Sequence, residues 1–183
     1  MKKATDIPSG MFCAFLRGVN VKGTVMKMAD VCAVFEKVGM SNVSSVLASG
    51  NILFSSGKSR NELKKLLEKA MSEQFGYDAF LFVKDRNEVE AIFSKNPFAT
   101  DAAFHIYVFA GVNGIEKTLM SEFEKSEKEK GEKAQIVAGN FYWRVPKGST
   151  LESVFGKILG RKDLKAAFTS RNLNTFERIL KKM

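Results

Sequence analysis

The sequence predicts an α+β protein built from two ferredoxin-like halves with antiparallel sheets and a C-terminal helical segment. Three observations predict it. The pattern strand, helix, strand, strand, helix occurs twice along the chain. The two strand–strand connections echo each other, Ser49-Gly50-Asn51 in the first half and Ala138-Gly139-Asn140 in the second. The chain has 183 residues, 45% of them hydrophobic, enough for two small cores.

In the first half, "MFCAFLR" at 11–17 is a short apolar run with the length of a buried strand. From Met28, the apolar residues Val31, Cys32, Phe35 and Val38 fall on one helix face, and Gly39 stands where a helix ends. Residues 43–48 and 51–55 flank Ser49-Gly50 as a hairpin. Ser59 and Glu62 have capping-box spacing and open a helix with Leu63, Leu66, Leu67, Ala70 and Met71 inside, closed by Gly76. Residues 79–84 complete the half as a fourth strand.

The second half opens with Asp85 and Glu88 at the same capping spacing, before a short helix with Val89, Ile92 and Phe93 inside and a break at Pro97. Residues 104–110 form a strand, and a helix from about Gly114 carries Ile115, Leu119 and Phe123. The charged stretch "EKSEKEKGEK" is its solvated end. A second hairpin follows in "QIVAGNFYWRV", then a helix with Leu151, Val154, Phe155, Ile158 and Leu159. No fourth strand is evident here. Residues 163–168 read as a helical turn, before a last helix with Leu173, Phe176, Ile179 and Leu180 that Ser170 or Asn172 caps. The expected organisation is a loose tail at 1–10, one half at 11–85 and a second at 86–183, packed as one compact unit.

Several function classes find no support in the sequence. One histidine, His105, and two cysteines, Cys13 and Cys32, provide no metal-ligand cluster, no CxxC pair and no catalytic triad, so no metal or cofactor is expected. Both cysteines are expected to be free. No apolar run approaches the ~20 residues of a membrane span, and "MKKATDIPSG" lacks the apolar segment of a secretion signal, so the expected location is cytoplasmic. The formal charge is +9, and from residue 144 onward ten Lys/Arg face three Asp/Glu. That bias favours anionic partners, nucleic acid or phosphate-bearing ligands, and serves solubility equally well.

In a ferredoxin-like half, the first and second strands run the same way. The loop after the first strand and the hairpin after the second therefore lie at one end of the sheet. Arg17, Gly18, Asn20, Lys22 and Lys27 occupy the loop, and Ser49, Gly50 and Asn51 the hairpin. The first helix also starts there, where its free N–H groups favour an anion. This set is a candidate small-anion site. Two plainer roles stand beside it: Asn20 and Asn51 as braces between the loops, and Arg17 as partner of a carboxylate or of backbone carbonyls. Asp30 is the one residue near this end with the chemistry of a general base, and it reads equally as a solvated helix carboxylate; no catalytic residue is assigned.

The motifs "LRGVNVKG…KM", "SGNILF" and "TSRNLNT" resemble, in order and spacing, the bacterial family known as domain of unknown function 1697. The resemblance spans nearly the whole chain from Met11. It departs at Lys22, where the family usually has the first of two glycines, at Ala48, where glutamine is common, and at Leu173, where tryptophan is frequent. It implies a compact fold of two ferredoxin-like halves and no established activity. It also marks Arg17, Gly18, Asn20, Ser49, Gly50, Asn51, Arg171, Asn172 and Asn174 as motif positions, and it suggests that Arg17 and Arg171 share a site. The expected function is binding of an anionic ligand, nucleic acid or a phosphate-containing small molecule. A protein-interaction or structural module and an enzyme acting on a small anion are the alternatives. For nucleic acid, Tyr142 and Arg144 are the residues to watch, because strand alternation puts them on the face opposite Phe141, Trp143 and Val145.

Overall fold

The computed structural model describes residues 10–19 and 26–183. The chain divides into two compact units, one reaching Asn87 and including Lys182–Met183, the other spanning Glu88–Lys181.

The first unit is β1 (Gly10–Arg17), α1 (Met28–Lys37), β2 (Ser41–Ser45), β3 (Asn51–Ser56), α2 (Arg60–Phe75) and β4 (Phe80–Asp85). Its sheet is antiparallel in the order β2-β3-β1-β4. Local chemistry sets the helix limits. Ser59 and Glu62 form the capping box that starts α2, and Gly76, in the left-handed region, ends it. Val31 and Phe35 of α1 and Leu63, Leu67 and Met71 of α2 pack on Ala14, Leu16, Ile52 and Phe54 of the sheet. The Phe35 and Phe54 rings meet edge to face at 5.4 Å. Cys13, Phe15, Leu53 and Phe82, on the opposite face, are buried as well. Burial on both faces is why β1 reads as an unbroken apolar run. The hairpin strands differ from expectation: β2 lies at Ser41–Ser45 rather than 43–48, because Val46 leaves the ladder to meet Asn51 across a longer connection.

The second unit holds most of α3 (Arg86–Ser94), then β5 (Phe104–Gly111), α4 (Ile115–Lys125), β6 (Lys133–Val137), β7 (Asn140–Pro146), β8 (Phe168–Asn172) and α5 (Leu173–Leu180). Its sheet order, β6-β7-β5-β8, repeats that of the first unit. The β6–β7 turn places Ala138 at φ +49° and Gly139 at +74°, the paired positive values of a type I′ hairpin.

Two expectations for this unit are corrected. The missing fourth strand exists: β8 pairs antiparallel with β5 from Phe168↔Gly111 to Asn172↔Tyr107. It is a five-residue edge strand that passes straight into α5, so its polar "TSRN" resembles a helix entry. The helix expected from Leu151 to Leu159 is instead a series of turns and a short 3-10 helix at Gly156–Gly160. The chain folds too tightly there for an α-helix. Gly156 lies so close to Thr150 that a Cβ on it would sit 1.9 Å from the Thr150 carbonyl oxygen, and its N–H donates to Ser153 Oγ at 2.9 Å. Phe155 and Ile158 are buried all the same, while Leu151 and Val154 stand exposed. Phe155 is the hub of the aromatic core, 5.1 to 6.3 Å from the rings of Trp143, Phe123, Phe141 and Phe109.

The alternation in β7 holds, but the second face of this sheet is not open. Tyr142 is 0% exposed, and its hydroxyl donates to the Ile92 carbonyl of α3 at 2.8 Å. Burial raises the Tyr142 pKa to about 12. The unfolded value is about 10, so the folded state holds this proton more tightly. The stabilisation is complete below pH about 10 and is lost as pH rises through about 12. Urea unfolding at a series of alkaline pH values should show stability falling across that window in the wild type. Tyr142→Phe should lose about 1 kcal/mol at neutral pH and fall less steeply in the window.

Candidate functional site

The end of the first sheet is assembled as the topology requires. The Leu16 N–H donates to the Gly50 carbonyl at 2.8 Å, tying the exit of β1 to the β2–β3 connection. Gly50 is buried at φ +73°, and a Cβ there would lie 2.5 Å from Val19 Cγ2 and 3.0 Å from Leu16 Cβ. Only glycine fits, in conformation and in space. Asn51 is 0% exposed. Its Nδ2 donates to the Val46 carbonyl at 2.9 Å and to Ser49 Oγ at 3.0 Å, while its own carbonyl accepts from the Val46 N–H at 2.8 Å. Asn51 is thus a brace of the turn, and Ser49 stands exposed beside it.

Arg17 closes β1 and is half-buried; that burial lowers the pKa of its guanidinium. Gly18 follows at φ +81°, with the Tyr77 ring 3.5 Å from where its Cβ would stand. The Tyr77 hydroxyl is buried without a hydrogen-bond partner among the described residues, and burial raises its pKa. Sequence reasoning missed Tyr77. The available signal was an aromatic residue directly after the Gly76 helix end, one strand away from Arg17. Lys27 is the exposed N-cap residue of α1 and makes no side-chain cap; Asp30, also exposed, lies in the first turn. Asn20 and Lys22 fall outside the described residues. The structure therefore brings together Arg17, Gly18, Ser49, Gly50 and Asn51, and adds Tyr77.

Arg171, Asn172 and Asn174 belong to the second unit, Arg17 to the first. Arg171 is 9% exposed, and its Nη1 donates to Thr169 Oγ1 and the Ser170 carbonyl, both at 2.8 Å. Asn172 caps α5 by accepting from the Asn174 N–H at 3.0 Å, and its Nδ2 lies 3.1 Å from His105 Nδ1. Of the two expected caps, Asn172 is the one used. Asn174 is exposed.

The surface suggested for stacking bases is not available. Phe54, Phe141, Tyr142 and Trp143 are all buried, and Arg144 lies over the Phe104 ring, 3.6 Å from its centroid. Among the described residues no group of His, Cys, Asp and Glu could hold a metal ion, and no helix is long and apolar enough to cross a membrane. Both cysteines are free.

Fold and site together define an α+β protein with two ferredoxin-like sheets; the Arg17-Gly18 and Ser49-Gly50-Asn51 motifs lie at one end of the first, and the "TSRN" motif forms β8 of the second. A family model described as "Protein of unknown function (DUF1697)" matches residues 11–142, and the chain belongs to that family. No curated protein matches it. Among solved structures, it is similar to the conserved bacterial protein SP0830 from Streptococcus pneumoniae, at 20% identity and a TM-score of 0.77, covering 95% of this chain and 98% of that one. At that identity the likeness establishes the fold.

The tightness at Gly50 is directly testable. Gly50→Ala should cost about 2–4 kcal/mol in urea unfolding, from the left-handed backbone plus overpacking. Gly39→Ala, at φ +89° with nothing within 4 Å, should cost only about 1–2 kcal/mol. Equal losses would contradict the close approach of the two loops.

Proposed function

We propose that the protein binds a small phosphate-containing anion at the loop end of its first unit, with Arg17 as the charged ligand group. The observation that supports this reading is at Gly18: the Tyr77 ring that packs on it carries a buried hydroxyl with no hydrogen-bond partner among the described residues, and the residue before Gly18 is the half-buried Arg17. A buried hydroxyl without a partner is unfavourable. An oxyanion would accept a hydrogen bond from Tyr77, which its raised pKa keeps protonated at neutral pH, and a guanidinium supplies a charge-assisted donor.

The rest of the site supports recognition rather than reaction. Asn51 and Gly50 hold the turn rigidly, which lowers the ordering cost of binding. The net charge of +9 draws anions toward the surface. A small ligand is favoured over nucleic acid because Phe54, Phe141, Tyr142 and Trp143 are buried and do not offer a stacking face.

The test is thermal unfolding with inorganic phosphate or a nucleoside monophosphate, against chloride at matched ionic strength. At about ten times Kd the ligand should stabilise by about 1.4 kcal/mol, a Tm rise of roughly 3–6 °C. Arg17→Gln should abolish the rise, and Tyr77→Phe should reduce it. An equal rise in wild type and Arg17→Gln, or none in either, would overturn the proposal.

A further inference from the structure

A polar cavity lies in the second unit, on the face of the sheet that α3 also covers. It encloses about 330 Å³ and is lined by Pro97, Phe98, Ala99, Thr100, Asp101, Lys133 and Arg144. Register places Lys133 directly opposite Arg144 on neighbouring strands, so both point to the same face.

Arg144 is held in position. Its guanidinium stacks on Phe104, and its Nη2 donates to Asp101 Oδ2 at 3.0 Å. The side chain is only 17% exposed, and its Nε is buried without a hydrogen-bond partner among the described residues. A guanidinium carries five N–H donors in a fixed fork, and Asp101 does not satisfy the one at Nε. The wall opposite is also fixed by its own side chains. Asn96 clamps Phe98, donating from Nδ2 to its carbonyl at 2.6 Å and accepting from its N–H at 3.2 Å. Asp101 Oδ1 accepts from the Ala103 N–H at 2.8 Å.

Lys133 and Arg144 against Asp101 leave this cavity one net positive charge, beside an apolar wall of Pro97, Phe98 and Ala99. We infer that this cavity binds a small organic carboxylate, its carboxylate held by Arg144 and Lys133 and its apolar body against Pro97 and Phe98. A monoanion matches the single excess charge, whereas a phosphate dianion would exceed it. The planar guanidinium suits a planar carboxylate, and the apolar wall gives the remainder of the ligand a surface. This site is separate from the one proposed around Arg17 and is independent of it.

The experiment is an NMR titration of the full chain with benzoate, following the side-chain Nε–H resonance of Arg144, with inorganic phosphate as the comparison. Saturable movement with a roughly millimolar Kd is expected for benzoate, and weaker movement for phosphate. Lys133→Met, at an exposed position that should leave the fold intact, should weaken benzoate binding several-fold. Arg17→Gln should leave it unchanged. An Arg144 Nε–H that benzoate does not move, or moves without saturating, would overturn the inference. Binding equal in wild type and Lys133→Met would do so too.

Discussion

Asn51 has no exposed surface, and its side-chain amide is shared between the Val46 carbonyl and the Ser49 hydroxyl. That one buried carboxamide fixes the connection between β2 and β3. The connection then places the Gly50 carbonyl over the Leu16 N–H, at the point where β1 leaves the sheet. Leu47, at φ +62°, sits in the same tight turn. Removing the carboxamide would leave a buried carbonyl without its partner, at about 1–3 kcal/mol. Everything at this end follows from the arrangement. The chain departs along Arg17-Gly18, and Gly18 leaves room for the Tyr77 ring.

The second unit reuses the strand order for a different purpose. Its hairpin turns on Ala138-Gly139 with no buried carboxamide of the Asn51 kind, because Asn140 bonds the adjacent Ala138 carbonyl in an exposed position. The aromatic residues that elsewhere make a binding surface are consumed in packing. Phe141 and Trp143 surround Phe155, while Tyr142 hydrogen-bonds to α3. The indole of Trp143 in turn donates to the buried carboxylate of Glu132 at 2.8 Å. With the sheet faces covered, the polar chemistry of this unit is displaced to the rim, where Arg144 and Lys133 border the 97–101 segment.

Much of this was legible in the sequence, and the failures have physical causes. Period and caps located α1, α2 and α5, because each has a continuous apolar stripe and a marked end. The stripe of α4 was found too, but the charged stretch 124–133 is not its solvated end: the helix stops at Lys125, Glu132 is buried against the Trp143 indole, and Lys133 opens β6. The neighbouring loops of the first unit followed from strand direction alone. β8 was missed because a five-residue edge strand has too few residues to display a period of two. Residues 151–159 showed a helical period, but the space around Gly156 forbids the helix. At the loop end, strand direction alone puts Arg17 near Gly50. Whether Asn51 faces a ligand or the backbone depends on burial, which residue type does not reveal. Tyr77 stands directly after the Gly76 helix end, but residue type does not reveal that its ring packs on Gly18.

The most direct measurement is an amide chemical-shift map of the intact protein titrated with inorganic phosphate at constant ionic strength. A saturating response centred on residues 16–19, 49–51 and 77 is what a built anion site at this loop end predicts. Non-saturating shifts spread over the lysine-rich surface from residue 144 onward would contradict it, and would reduce the +9 charge to nonspecific attraction.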